Sequence, residues 1–212
     1  MAKYFRYFPK TFYTQNPGEA DTVTNIISRF AFENDLVEND SAYYEYEVKD
    51  TDTPEIIAGK FYGGPERHWV VLGFNQIIDP QWDWPLDYNT FIKYVDNKYT
   101  ANADTANSQT GLAWSQSNTK EYFKVVTRTD NQFTNNKIVE KLEIDASTYA
   151  NTTANSFSLS LSDGSSITIA TTLETRNYYD YEDAENESKR TIKLLKPNFV
   201  KAVEKEFKRV IE

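Results

Sequence analysis

The 212-residue sequence predicts a mixed α+β fold. Three observations lead there. Residues 42–48, Ala-Tyr-Tyr-Glu-Tyr-Glu-Val, alternate as a half-buried strand does. Phe157, Leu159 and Leu161, then Ile167 and Ile169, alternate on either side of Asp163-Gly164, a strong hairpin signal. After Pro197, the residues Phe199, Val200, Val203, Phe207, Val210 and Ile211 recur at helical spacing.

The elements follow in order. Tyr4-Phe5-Arg6-Tyr7-Phe8-Pro9 is too aromatic for a free tail, and reads as an extended segment packed on something and ended by Pro9. Asp21-Thr22 offers an N-cap for a helix with Val23, Ile26, Ile27 and Phe30 on one face, and a second helical piece is expected through Leu36. After the strand at 42–48, Asp52 and Thr53 are good cap residues. Pro54 suits the first helical position, where its missing N–H would be unpaired anyway. Ile57, Ala58 and Phe61 form an apolar stripe, and Gly63-Gly64 stops the helix. Pro65 opens a second helix carrying Trp69, Val70, Leu72 and Phe74, which Asn75 can close, and Trp69 is expected to be largely buried. Asp79–Pro85 reads as an irregular turn holding Trp82 and Trp84, followed by a helix over 87–99. Residues 100–120, rich in Ala, Asn, Thr, Ser and Gln, read as a loop or weakly ordered linker. Strands are expected at Glu121–Thr127, Lys137–Ile144, Ser156–Ser162 and Ser166–Leu173, then a short strand at Thr191–Leu195. The strand that pairs with 42–48 falls either after Trp84 or at Thr191–Leu195.

Composition excludes several function classes. Cysteine is absent and histidine occurs once, so there is no disulfide framework, thiolate metal site or multi-histidine cluster. The net charge of -9 argues against binding nucleic acid through its phosphates. No apolar run approaches the roughly 20 residues of a membrane-spanning helix. The aromatic, basic start lacks the pattern of a signal peptide, which leads to an expectation of a cytosolic chain. Charge is uneven: from Glu185 onward there are eight basic and five acidic residues, net +3, against -12 for residues 1–184. Such asymmetry suits docking among neighbours, although a solvated helix face is the commoner meaning.

No catalytic constellation stands out. His68 lies in a predicted helix with no nucleophile elbow to serve. Asp79, Asp83 and Asp87 flank Trp82 and Trp84, and paired carboxylates beside aromatic platforms would suit a glycosidase, yet closely spaced Asp in a Pro-rich turn is usually capping chemistry. Gly63-Gly64 is not followed by the Lys-Ser/Thr of a phosphate loop. No metal ligands and no cofactor site are assigned, and the chain is expected not to be an enzyme.

Val48, Asp52, Thr53, Ile57, Ala58, Tyr62, Gly63, Trp69 and Asn75 match, in kind and order, the motif of LysM modules. Thr51 stands where that family has Gly, and Pro54 where it usually has Leu, both in the loop that lines the sugar groove of such modules. The wider pattern resembles the baseplate wedge protein fifty-three family of contractile-tailed, T-even-like phages. It is carried by the aromatic N-terminus, the run from Phe61 to Asn75, Asp79-Pro80, Trp84-Pro85, and Asn186–Leu195 before the closing helix. It covers residues 1–99 and 177–212.

The resemblance implies a LysM-like βααβ core; read with the elements above, the fold is α+β, that core with an extended N-terminal arm, an inserted antiparallel β module marked by the composition shift at Thr100 and the alternating strands after it, and a C-terminal amphipathic helix. The corresponding segments are an arm and helix at 1–41, a LysM-like domain plus helix at 42–99, a β-rich insertion at 100–176, and a strand and helix at 177–212. It also implies a late structural protein of the virion tail baseplate, assembled in the host cytoplasm, that joins neighbouring wedges around the central hub. Its implied partners are other wedge subunits, adjacent wedges, the hub and the sheath initiator, with no nucleic acid and no membrane. Rings beyond what a small core requires mark Tyr4, Phe5, Tyr7, Phe8, Trp82, Trp84, Phe199 and Phe207 as candidate interface residues, because aromatics are enriched at interface cores. Two alternatives stay open: a LysM glycan-binding module serving cell-wall recognition or hydrolysis, and a glycoside hydrolase using Asp79 and Asp83.

Overall fold

Alternation, caps and turns organise much of the chain as the sequence suggests, with several departures, among them helices over Ala146–Asn151 and Tyr178–Ser188 where none was expected. The computed structural model describes residues 4–16, 18–28, 30–131 and 136–211. A 3-10 turn, Tyr4–Tyr7, precedes strands β1 (Lys10–Asn16) and β2 (Glu19–Thr24), helix α1 (Asn34–Val37) and strand β3 (Tyr43–Glu47). Helix α2 (Pro54–Tyr62), a 3-10 turn at Pro65–Arg67 and helix α3 (His68–Phe74) follow, then α4 (Pro80–Asp83) and α5 (Tyr88–Tyr99). Next come α6 (Gly111–Ser117), β4 (Thr119–Asp130), β5 (Asn136–Ile144), α7 (Ala146–Asn151), β6 (Asn155–Ser160), β7 (Ser166–Asn177) and α8 (Tyr178–Ser188). Strand β8 (Thr191–Leu195) and helix α9 (Pro197–Ile211) close the chain. Two compact units result: Met1–Tyr88 with Asn186–Glu212, and Asn89–Glu185.

In the first unit, β3 pairs antiparallel with β8, Tyr43 opposite Leu195 and Glu47 opposite Thr191. Of the two places open for the return strand, the C-terminal one is therefore occupied. Helices α2 and α3 supply Ile57, Ala58, Val70, Val71 and Phe74 to a core shared with Val48, Ile192, Leu194 and Leu195. Helix α9 buries Val200, Val203, Phe207 and Ile211, the i, i+3, i+7 and i+11 positions of one face. Each such side chain contributes roughly 1.5–3 kcal/mol on leaving water.

The second unit holds a four-stranded antiparallel sheet in the order β5-β4-β7-β6. The turn between β6 and β7 closes through the Leu161 N–H and the Ser165 carbonyl, 2.8 Å apart, around Asp163-Gly164. Glu182 on α8 accepts from Lys98 Nζ (2.8 Å) and the Tyr99 hydroxyl (2.6 Å) at the end of α5.

The departures have local causes. The helix expected from Asp21 is absent: Thr22, Val23 and Thr24 are β-branched, prefer extended backbone, and pair in β2 with Lys10–Phe12. Val23, Ile26 and Ile27 are exposed there. Tyr4–Pro9 does pack, with Phe8 buried, but its conformation is a 3-10 turn and not an extended one. The turn at Asp79–Pro85 contains the one-turn helix α4, capped by the Asp79 carboxylate on the Gln81 N–H at 3.0 Å. Residues 100–120 are not a structureless linker. Thr110 caps α6 on the Ala113 N–H at 3.1 Å, and Trp114 stacks on Tyr99 with centroids 5.6 Å apart. Gly111 sits so close to the Asp96 carbonyl and the Thr100 N–H that no Cβ fits. Polar composition hid a helix held by one cap, one glycine and one indole.

Candidate interaction site and motif core

Asp52 organises the turn between β3 and α2. It is buried, and accepts from the Tyr46 hydroxyl (2.6 Å), Lys60 Nζ (2.6 Å) and the Lys49 N–H (3.3 Å). Burial pushes its carboxyl up, but the Lys60, Tyr46 and Lys49 hydrogen bonds more than offset this, and the net direction is down. The hydrogen bond to Asp52 in turn lifts the Tyr46 phenol to about 12. The Asp52 carbonyl accepts from Trp84 Nε1 at 3.1 Å, which points that indole inward. Thr53 then caps α2 on the Ile56 N–H at 3.3 Å, and Gly63 ends the helix at φ +75°, the left-handed region that favours glycine. Val48, Ile57 and Ala58 are core residues, and Tyr62 is buried beside them.

Asn75 closes α3 by a route its position alone does not reveal. Its amide donates to the Lys193 carbonyl (2.8 Å) and accepts from the Lys193 N–H (2.7 Å). It also donates to the Val71 carbonyl at 2.8 Å. The side chain thus stands in for a neighbouring strand beside β8. Asn186, which sequence reasoning did not single out, does the same for Leu86, accepting from its N–H (2.7 Å) and donating to its carbonyl (3.1 Å). Arg190 was missed as well. It reaches the carbonyls of Val48 (3.2 Å) and Leu86 (3.3 Å) and pairs with Asp50 and Glu187. In the sequence it is one cation among eight near the C-terminus, and nothing local sets it apart.

The candidate interface residues divide. Phe207 and Phe8 are buried in a ring cluster within the chain. Trp69 lies 4.7 Å from Phe207 and 5.4 Å from Tyr4 by ring centroids, with Phe30 edge-on at 6.0 Å. Trp69 is half-buried and not enclosed, because only one side of α3 faces the core while the indole rests on rings of α9 and the N-terminal turn. Tyr4 and Tyr7 are half-buried at the same place, and Arg67, in the 3-10 turn that leads into α3, pairs with Glu204 of α9 at 2.7 Å. A cleft of about 310 Å³ opens there beside Glu66, Arg67 and Lys208. Trp84 is half-buried, while Phe5, Trp82 and Phe199 are exposed.

The candidates for chemistry are accounted for by local structure. His68 Nδ1 lies 3.0 Å from the Pro65 carbonyl. Asp79 caps α4, and Asp83 accepts from the Asp79 N–H at 3.2 Å, so this carboxylate pair does turn chemistry. Among the described residues, no group of three or more His, Cys, Asp and Glu could hold a metal ion, and no helix is long and apolar enough to cross a membrane.

What the arrangement offers is a tightly wired core that leaves aromatic and apolar surface open. No individual curated protein matches the chain. The model of the family described as Base plate wedge protein 53 matches residues 4–210, a span that includes both compact units, so the chain belongs to that family and is a structural protein of the phage baseplate.

Proposed function

We propose that this protein joins neighbouring baseplate wedges around the central hub during tail assembly, in the host cytoplasm. The observation that carries the proposal is the family match across residues 4–210. The residues support it: exposed Phe5, Trp82 and Phe199 are ring types favoured at interface cores, and the carboxylates that could suggest catalysis are held in caps and turns. Its partners would be other wedge subunits, adjacent wedges, the hub and the sheath initiator. The β3-α2-α3-β8 arrangement, with Asp52, Thr53 and Asn75 wiring its turns, supports reading this core as LysM-like. It would act as a scaffold and not as a sugar reader, since Trp69 and Trp84 are engaged inside the chain.

Reconstitution with the other wedge subunits provides the test. Wedges lacking this protein should accumulate as single wedges, and adding it should drive them into rings around the hub. Complete rings formed without it would overturn the proposal.

A further inference from the structure

Strand β3 has an open edge, and its hydrogen bonds show which residues line it. The Val48 N–H donates to the Arg190 carbonyl (2.8 Å), and the Ala42 carbonyl accepts from the Lys196 N–H (2.9 Å), so Ala42 and Val48 bond toward β8. Bonded residues alternate in an antiparallel pair, which gives Tyr44 and Tyr46 the same direction, opposite Leu194 and Ile192. Tyr43, Glu45 and Glu47 therefore aim their N–H and C=O groups away from β8. Among the described residues no third strand joins this sheet, and no hydrogen bond reaches those groups. The outer edge of β8 differs: there the Asn75 side chain pairs with both backbone groups of Lys193. One edge of the sheet is closed by a carboxamide and the other is bare.

Backbone chemistry and charge narrow the occupant. A row of alternating donors and acceptors is satisfied by an extended chain. Strand β3 has no proline or bulge to prevent this, and its register is unbroken from Tyr43 to Glu47. Its edge charges are Glu45 and Glu47, both exposed and on one face, with no ion pair among the described residues. The neighbouring cations are engaged. Lys193, opposite Glu45, donates to the Val37 carbonyl (3.0 Å) and lies 4.5 Å from the Tyr43 ring centre. Lys60 pairs with Asp52, and Arg190 with Asp50 and Glu187. Lys49 lies beyond the strand, in the turn that Asp52 holds. A second copy added antiparallel and centred on β3 sets Glu45 on Glu45; one register step along, it sets Glu45 on Glu47 twice. Like charges directly opposite each other are destabilising. A step the other way leaves only Tyr43 to Glu45 overlapping. The edge thus rejects its own copy and favours a basic strand.

We infer that the open edge of β3 takes an extended segment of another baseplate subunit as an added strand, with Lys or Arg at alternate positions beside Glu45 and Glu47. The inference rests on the baseplate reading above. Main-chain hydrogen bonds to Tyr43, Glu45 and Glu47 hold the segment, and the two carboxylates select it. On the other face of β3, Tyr44 is 55% exposed and offers its ring to an apolar residue of the same segment.

Residue-resolved hydrogen exchange of the full chain, alone and within wedges assembled from the other subunits of its phage, gives the test. Alone, the amides of Tyr44, Tyr46 and Val48 should be protected, and those of Tyr43, Glu45 and Glu47 should exchange freely. In the wedge the second set should slow by about tenfold or more, as bonded strand amides do. Glu45→Lys combined with Glu47→Lys should lower recovery of one wedge subunit by about tenfold, because it sets like charges opposite each other. Circular dichroism melting of that variant should match the parent, since both side chains are exposed. The same reversal at Glu140 and Glu143, on β5, should leave recovery unchanged. Free exchange at Glu45 and Glu47 in an assembled wedge would overturn the inference alone. So would the same slowing in the concentrated chain by itself, full recovery with the folded double variant, or an equal loss from the two reversals. A parent chain that enters no wedge would overturn the baseplate reading itself.

Discussion

Two asparagines do at the residue scale what strands usually do for each other. Asn75 pairs with both backbone groups of Lys193, and Asn186 with both of Leu86. A carboxamide suits the task because it carries a donor and an acceptor side by side, the same pair a peptide unit presents. Replacing Asn75 by alanine leaves two partly buried backbone groups without their partner, so the Asn75→Ala chain should lose about 2 kcal/mol in urea unfolding. Asn75→Asp keeps the acceptor but sets a carboxylate against the Lys193 carbonyl. It should lose a similar amount at pH 7 and recover part of it at acid pH, where a protonated carboxyl can donate again. Equal stability of parent and Asn75→Ala would show that water replaces the amide without cost.

At the scale of elements, Asp52 joins a strand, a turn and a helix through Tyr46, Lys49 and Lys60. Its folded carboxyl titrates below the unfolded value near 3.9, so its contribution is present above that pH and is lost as pH falls through the folded value. Tyr46 works in the opposite direction. Raised to about 12, its contribution is complete below pH 10 and is lost as pH climbs toward 12. Lys60 is half exposed and screened by water, which limits the ion pair's share. Asp52→Asn should therefore cost about 1–2 kcal/mol at pH 7, with the gap to the parent closing below about pH 4. Denaturant unfolding at both pH values checks this, and a gap that ignores pH would assign the loss to packing.

At the scale of the whole molecule, the first unit is assembled from the two ends of the chain. Strand β8 completes the sheet begun by β3, and α9 places Val200 and Val203 in the core and Phe207 against Trp69. Ending the chain at Leu195 removes four buried apolar residues from α9, on the order of 6–12 kcal/mol, comparable with the entire stability of a domain. The truncated chain should lose the cooperative tryptophan-fluorescence transition of this unit. Retention of that transition would show that α9 rests on a core already sufficient without it.

Local chemistry was legible wherever a short-range rule decides the outcome. The Thr53-Pro54 start and Gly63 stop of α2, the alternation of β3, the Asp163-Gly164 hairpin and the face of α9 all depend on neighbours within a few residues. Thr53, Gly63 and the strand at 42–48 also belong to the stretch that carried the family resemblance, whereas the Asp163-Gly164 hairpin lies in the insert outside it, although the family match spans all of them. Residues 19–24 and 100–120 were misread because their states are set by partners: Lys10–Phe12 across a hairpin, and Asp96 and Tyr99 beneath Gly111 and Trp114. The sequence by itself determined the caps and stop of α2, the helical face of α9, and the alternation of apolar residues in β3, β6 and β7. Only the tertiary structure decided that β8 returns to β3 and that Phe8 and Phe207 turn inward. Periodicity defines a face, but which face meets the core depends on what long-range pairing leaves to cover it.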